Sequence, residues 1–247
     1  MKIVKSSPLI LATLVLAAMT VQTAEAQDQA ARIRAQMSAP DRSADDKVRD
    51  RVRKPIEVME FLGVKDGMTA LDVIAAGGWY TGILSAAVGP SGKVYSQNPA
   101  FFVNQPGFMD AENALVAKLG NVEPLHGDIM GIDGQIDVAV SNQNLHDIYN
   151  MGGEAGALAL LRSIYTALKP GGVFGLMDHR GMAGMDNAAL HRIPVDTARD
   201  LLVKAGFVVE AESNMLMNTA DDHSKGPGDP SLQGNSDRFL LKARKPR

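Results

Sequence analysis

From Thr69 onward, short runs of strand-forming residues alternate with longer helical runs, and glycine or proline turns separate them. Strands separated by helices pair in parallel and need both sheet faces covered, so this alternation constrains the fold more than any other feature. Strands are expected at residues 69–74, 93–97, 122–126, 135–141 and 173–177. Helices are expected at 79–88, 111–119, 156–168 and 194–205, preceded by one at 55–62 with Pro55 in its first turn and Gly63 at its end. Lys169-Pro170-Gly171-Gly172 is expected as the turn that stops the 156–168 helix. Strands at 207–212 and 238–243 have no helix between them and should pair antiparallel. The expected fold is α/β, a Rossmann-like three-layer sandwich. Its sheet is mostly parallel and seven-stranded, with an antiparallel last strand, in one domain spanning 51–247.

Composition narrows the function. Of 247 residues, 45% are hydrophobic and 21% charged, enough apolar material for one domain with a real core. The formal net charge of -3 leaves no basic excess to grip a nucleic-acid backbone, so no nucleic-acid partner is expected. There is no cysteine, which excludes disulfides, thiol nucleophiles and thiolate metal sites.

Residues 1–26 differ from the rest. Lys2 and Lys5 give a positive start, residues 8–19 are apolar and uncharged, and Ala24-Glu25-Ala26 fits a small-residue cleavage site. This is the pattern of a signal peptide, and it implies an exported, periplasmic or secreted protein. The bland alternative is an uncleaved anchor, although the apolar run is short for a membrane span. Residues 27–50 are polar and are expected to form an exposed arm, open to helix formation, without a core of its own.

In an open α/β sheet, ligands bind beyond the carboxyl ends of the strands. After the first strand come Ala75-Ala76-Gly77-Gly78, then a helix opening at Trp79. Glycines there allow close backbone approach, and a helix start favours negative charge. Asp72 lies within the strand, where an acid needs a partner. A plain turn with a capped aspartate would look the same.

The segments RVRKPIEVMEFLGVKDGMTALDVIAAGGWYTGILS, SNQNLHDI, ALKPGGVFGLMDHR, LLVKAGF and SDRFLLKARKP, running from Arg51 to Pro246, resemble class I S-adenosylmethionine-dependent methyltransferases. More narrowly, they resemble the exported methyltransferases predicted in bacteria. Three positions depart from the usual pattern. Ile74 and Ala76 stand where the first motif has its first two glycines, and Gln97 stands where an acid would bind ribose. The resemblance implies S-adenosylmethionine as cofactor and a small molecule as methyl acceptor. It places Asp72, Ala76, Gly77, Gly78 and Tyr80 around the cofactor's methionine and ribose end. Gln97 would sit at the ribose, Asp128 and Ile129 near the adenine, and Asn142 at the methyl-transfer pocket.

Two histidine–aspartate pairs follow strands on the same rim, His146-Asp147 and Asp178-His179-Arg180. A histidine near its ordinary pKa suits proton removal, so His146 and His179 are the acid–base candidates. Satisfying loop backbone groups is their bland role. Arg180 would hold an anionic group, or else form a surface ion pair. His126 is expected to be structural, and His191, before a helix, to be a cap or surface group. Met182, Met185, Met215 and Met217 are expected to fill gaps in packing. Residues 218–236 lack periodicity and suggest a lid or binding loop. No spacing supports a metal set, Asp221-Asp222-His223 included, so no metal is expected. Two alternatives stay open: a non-catalytic ligand-binding protein on this fold, and a His/Asp-based metal-dependent enzyme. No G-x-S-x-G elbow supports a serine hydrolase.

Overall fold

The computed structural model describes residues 25–247. The leader expected at 1–26 lies outside the described residues except for its last two. Helix α1 covers residues 25–37, followed by α2 (Ala44–Arg53) and α3 (Pro55–Leu62). The sheet then begins: β1 (Thr69–Val73), α4 (Trp79–Val88), β2 (Lys93–Asn98), α5 (Ala100–Val103), α6 (Phe108–Leu119), β3 (Val122–His126), β4 (Ile136–Asn142), α7 (Leu145–Ala167) and β5 (Leu168–Gly181). The chain ends with β6 (Ile193–Pro194), α8 (Val195–Lys204), β7 (Val208–Ser213), a 3-10 turn at Pro230–Leu232, and β8 (Arg238–Arg244).

The strand order is β3-β2-β1-β4-β5-β8-β7, with β6 beside the end of β5. Pairing is parallel from β3 to β5, while β8 runs antiparallel to both β5 and β7. The expected architecture is therefore present, and the short β6 is an addition to it. One sheet face is covered by α1, α3 and α4 through Ile33, Met59, Leu62, Ile83 and Leu84. The other is covered by α7 and α8 through Leu161, Ile164, Leu201 and Leu202. Among the described residues, no helix is long and apolar enough to cross a membrane.

Three expectations need correction. Residues 27–50 are not an exposed arm without a core. Ile33 is fully buried, and the Gln29 amide donates to the carbonyls of Val64 and Ala87, both at 2.9 Å. The polar composition concealed one apolar residue facing the sheet layer and a buried amide that stitches two turns. Secondly, α7 starts at Leu145, well before residue 156, and is interrupted at Gly153 (φ 61°, ψ −162°). The Gly152-Gly153 pair hid its first turns. Thirdly, Lys169-Pro170-Gly171-Gly172 does not separate α7 from β5. It is drawn into β5 as an irregularity, because Ile136 pairs with Leu168 and the next matched pair is Val138 with Val173.

Candidate functional site

The loop after β1 keeps a glycine-like backbone without the glycines. Ile74 has φ 53° and Ala76 φ 49°, both left-handed, a region unfavourable for a β-branched residue above all. Such conformations persist only where the surroundings dictate them. Here the end of β2 does so. Gln97 Oε1 accepts from the Ile74 amide (2.9 Å), the Gln97 carbonyl from the Ala75 amide (2.9 Å), and Asn98 Oδ1 from the Ala76 amide (2.7 Å). The Gln97 Nε2 donates in turn to the Gly127 carbonyl (2.6 Å), and Asn98 Nδ2 donates to buried Glu112 (3.1 Å).

Above this loop lies a cavity of about 280 Å³, at the carboxyl ends of β1 and β4. Asp72, Ile74, Ala75, Ala76, Gly77, Trp79, Tyr80, Asn142, Gln143 and Asn144 line it, with Arg49 and Arg53 of α2. A side-chain carbon added at Gly77 would meet nothing within 4 Å. Asp72 is buried and accepts from the Thr81 hydroxyl (2.7 Å). Burial pushes its carboxyl up to about 7, with the Thr81 bond and the Arg53 charge opposing. Asn142 Oδ1 is buried without a partner among the described residues. The cavity therefore offers one carboxyl group, one orphaned acceptor and the two guanidiniums of Arg49 and Arg53. That set fits a ligand carrying an ammonium and a carboxylate, as the methionine end of S-adenosylmethionine does.

A larger cavity of about 590 Å³ adjoins it and shares Arg49, Arg53 and Gln143. The Arg53 guanidinium donates to Gln143 Oε1 (3.0 Å) and lies 4.8 Å from the Trp79 ring centre. Pro227, Gly228, Gln233, Gly234 and Ser236 line this cavity, so part of the 218–236 segment borders it. The segment is tied down. Asp221 forms a fully buried ion pair with Arg192 (2.8 Å), and Asp237 accepts from the Asn218 amide and bonds His223 (both 2.9 Å).

The histidines separate into two roles. His179 lines the larger cavity, with Nδ1 2.7 Å from Ser236 Oγ. Burial and the positive charges of His146, Arg238, Arg192 and Arg53 hold its pKa well below the usual value, so the ring is neutral at neutral pH. His146 borders neither cavity. It sits in the first turn of α7 with Nδ1 2.6 Å from Asp178 Oδ1. Burial opposes its charge, but the Asp178 bond and the charges of Asp178 and Asp147 prevail and raise its pKa. Asp178 is itself fully buried and accepts from the backbone amides of His146 (2.9 Å) and His179 (2.7 Å). His146, an expected acid–base residue, thus lies outside the lining of both cavities. Starting α7 at Leu145 turns its ring toward Asp178, behind His179. Ring nitrogens of His146 and His191 and an Asp147 oxygen lie within 4.8 Å of one another, close enough to share a metal ion.

Of the expected cofactor residues, Asp72, Ala76, Gly77, Tyr80 and Asn142 share the smaller cavity. Gly78 caps α4 and borders a neighbouring cleft beside Leu115. Gln97 lies beneath the loop with both amide atoms on backbone groups. Asp128 is exposed, and Ile129 is buried in the core on the α7 side; neither lines the two cavities. Arg180 takes the bland role, meeting Glu212 (3.1 Å) and Asp237 (3.4 Å). His126 contacts Glu112 (2.5 Å), and exposed His191 contacts Asp147 (2.8 Å). Met182, Met185 and Met217 are exposed and do not fill core gaps. The sequence reading missed Arg53, Gln143 and Arg238. Arg53 falls in a charge-rich stretch where only packing tells it from its neighbours.

No family model matches the chain. Over 123 residues, 47% of this chain, it is 31% identical to demethylmenaquinone methyltransferase of Staphylococcus aureus. The match covers 45% of that protein, so the chain spans less than half the length of the curated relatives it matches. In structure it is similar to a SAM dependent methyltransferase from Aquifex aeolicus, with a TM-score of 0.59, 22% identity, and 80% and 92% of the two chains covered. It is also similar to a possible exported protein from Bordetella parapertussis (TM-score 0.53, 17% identity, 81% and 68% covered). The chain has the class I methyltransferase fold.

Proposed function

We propose that this protein is an S-adenosylmethionine-dependent methyltransferase acting on a small-molecule acceptor. The observation that carries this reading is the pair of adjoining cavities at the carboxyl ends of the strands, one built around Asp72, Gly77 and Asn142 and the other roofed by residues 227–236. S-adenosylmethionine supplies a methyl group on a sulfonium, an electrophile for which placement of the nucleophile matters most. Asp72 and the orphaned Asn142 Oδ1 would accept from its ammonium, and Arg53 would donate to its carboxylate. Gly77 leaves room for close approach of the ligand. Gln97 and Asn98 act through the loop they hold. In the larger cavity, neutral His179 would accept a hydrogen bond or a proton from the acceptor. His146 and Asp178 are positioning residues, since Asp178 binds the His179 amide.

The leader pattern supports export to the periplasm or beyond, and one structural relative is described in similar terms. Cell fractionation of the tagged full-length protein tests this; recovery in the cytoplasm alone would contradict it.

Calorimetric titration of the full-length protein with S-adenosylhomocysteine tests the activity reading. A micromolar Kd is expected. No heat and no thermal stabilisation at millimolar ligand would overturn it.

A further inference from the structure

Two arginines line the larger cavity without a carboxylate in ion-pair contact, although Asp237 acts on Arg238 and Asp72 on Arg53 from farther away. Arg238, at the start of β8, is 1% exposed. Its Nη2 donates to the Val52 carbonyl (3.0 Å) and to Asn235 Oδ1 (3.3 Å), and its Nε is buried without a partner among the described residues. Arg53, at the end of α2, has Gln143 as its polar partner. Among the described residues, neither guanidinium forms an ion pair, whereas Arg180 and Arg192 each meet a carboxylate. Burial pushes Arg53 down to about 10 and lowers Arg238 as well, so both stay charged at neutral pH. The acidic residue on the cavity wall is Asp45, which is exposed.

A buried charge without a counter-charge is costly, and a fold that keeps one at a cavity wall gains when an anion enters. Arg53 borders both cavities, so a cofactor carboxylate would answer it. Arg238 borders the larger cavity and not the smaller one, so among the described residues its guanidinium has no ion-pair partner, with Asp237 acting on it only from farther away. Val48, Val52 and Pro227 add apolar wall around it. We infer that the larger cavity binds a small organic anion, a carboxylate or a phosphate ester on an apolar body, through Arg238. That this anion is the methyl acceptor rests on the methyl-transfer reading above.

The test is calorimetry on the full-length protein with benzoate, its neutral counterpart benzamide, and inorganic phosphate, each with and without saturating S-adenosylhomocysteine. Benzoate or phosphate should bind at least tenfold more tightly than benzamide, with the two arms telling carboxylate from phosphate. Arg238→Met should erase that preference. Arg238→Lys, which keeps the charge, should retain part of it and serves should the methionine variant not fold. Equal binding of benzoate, phosphate and benzamide, or a preference that survives in Arg238→Met, would overturn the anion site. Anion binding without any binding of S-adenosylhomocysteine would keep the anion site and overturn the acceptor role, so the two failures are distinguishable.

Discussion

Gln97 Oε1 accepts the Ile74 amide at 2.9 Å, and through that bond the end of β2 holds a β-branched residue in a left-handed conformation. The resemblance noted above puts Gln97 where an acid would bind ribose. Its amide instead has two ends, one for Ile74 and one for the Gly127 carbonyl, so it joins the loops after β1 and β3. A carboxylate could not donate to Gly127. The Gln97 side chain at Ile74 and the Asn98 side chain at Ala76 thus stabilise a left-handed conformation that glycines would adopt freely.

Gln97→Met should test that link. The variant leaves the Ile74 amide and the Gly127 carbonyl without partners at a site that is 3% exposed. A loss of about 2 kcal/mol in urea denaturation is expected, together with weaker S-adenosylhomocysteine binding. Unchanged stability would show that the loop holds itself.

Gly77 and Gly78 should respond differently. Gly77 opens on empty space, so Gly77→Phe should fold normally, occupy the smaller cavity and abolish S-adenosylhomocysteine binding in calorimetry. At Gly78 (φ 73°) a side chain would run into Leu115, so Gly78→Val should lower Tm whether or not ligand is present. Full binding by Gly77→Phe would place the ligand elsewhere.

Asp72 ties stability to pH. Because its folded pKa is raised from 3.8 to about 7, its contribution is fully present below pH 3.8 and is lost as pH rises through 7. Asp72→Asn removes this dependence. The variant should gain on wild type as pH rises from 5 to 8, on the order of 3 kcal/mol at pH 8, while binding S-adenosylhomocysteine less well. Thermal melts at the two pH values decide it; an equal shift at both would contradict the buried-charge account.

The Arg192–Asp221 pair anchors the roof. Asp221→Ala strands a buried guanidinium and should cost about 3–5 kcal/mol. Protease cutting within residues 218–236 should become faster. Arg192→Met with Asp221→Leu should recover much of the stability, since apolar replacement of a buried pair is often neutral. A double variant no better than the single would contradict this.

The fold was legible because its signals are local. Pro55, Gly63 and Gly206 mark helix ends, and the alternation of runs dictates a covered parallel sheet. The lining of the two cavities was legible where it follows from strand ends, as with Asp72, Gly77, Asn142 and His179. It was illegible where long-range packing decides. Ile33 gives α1 a buried face that its charged neighbours disguise. Arg53 and Arg238 lie far apart in sequence and meet at one cavity only after β8 inserts between β5 and β7. His146 lies outside that lining because the helix start, and not the strand end, sets where its ring points.

The most direct test of the account is a crystal structure of the full-length protein grown with S-adenosylhomocysteine. The ligand should lie in the smaller cavity against the Gly77 backbone, its amino group at Asp72 and Asn142 Oδ1 and its carboxylate at Arg53, with the larger cavity open beside its sulfur. Density for the ligand in any other place, with the space beside Gly77 empty, would contradict it.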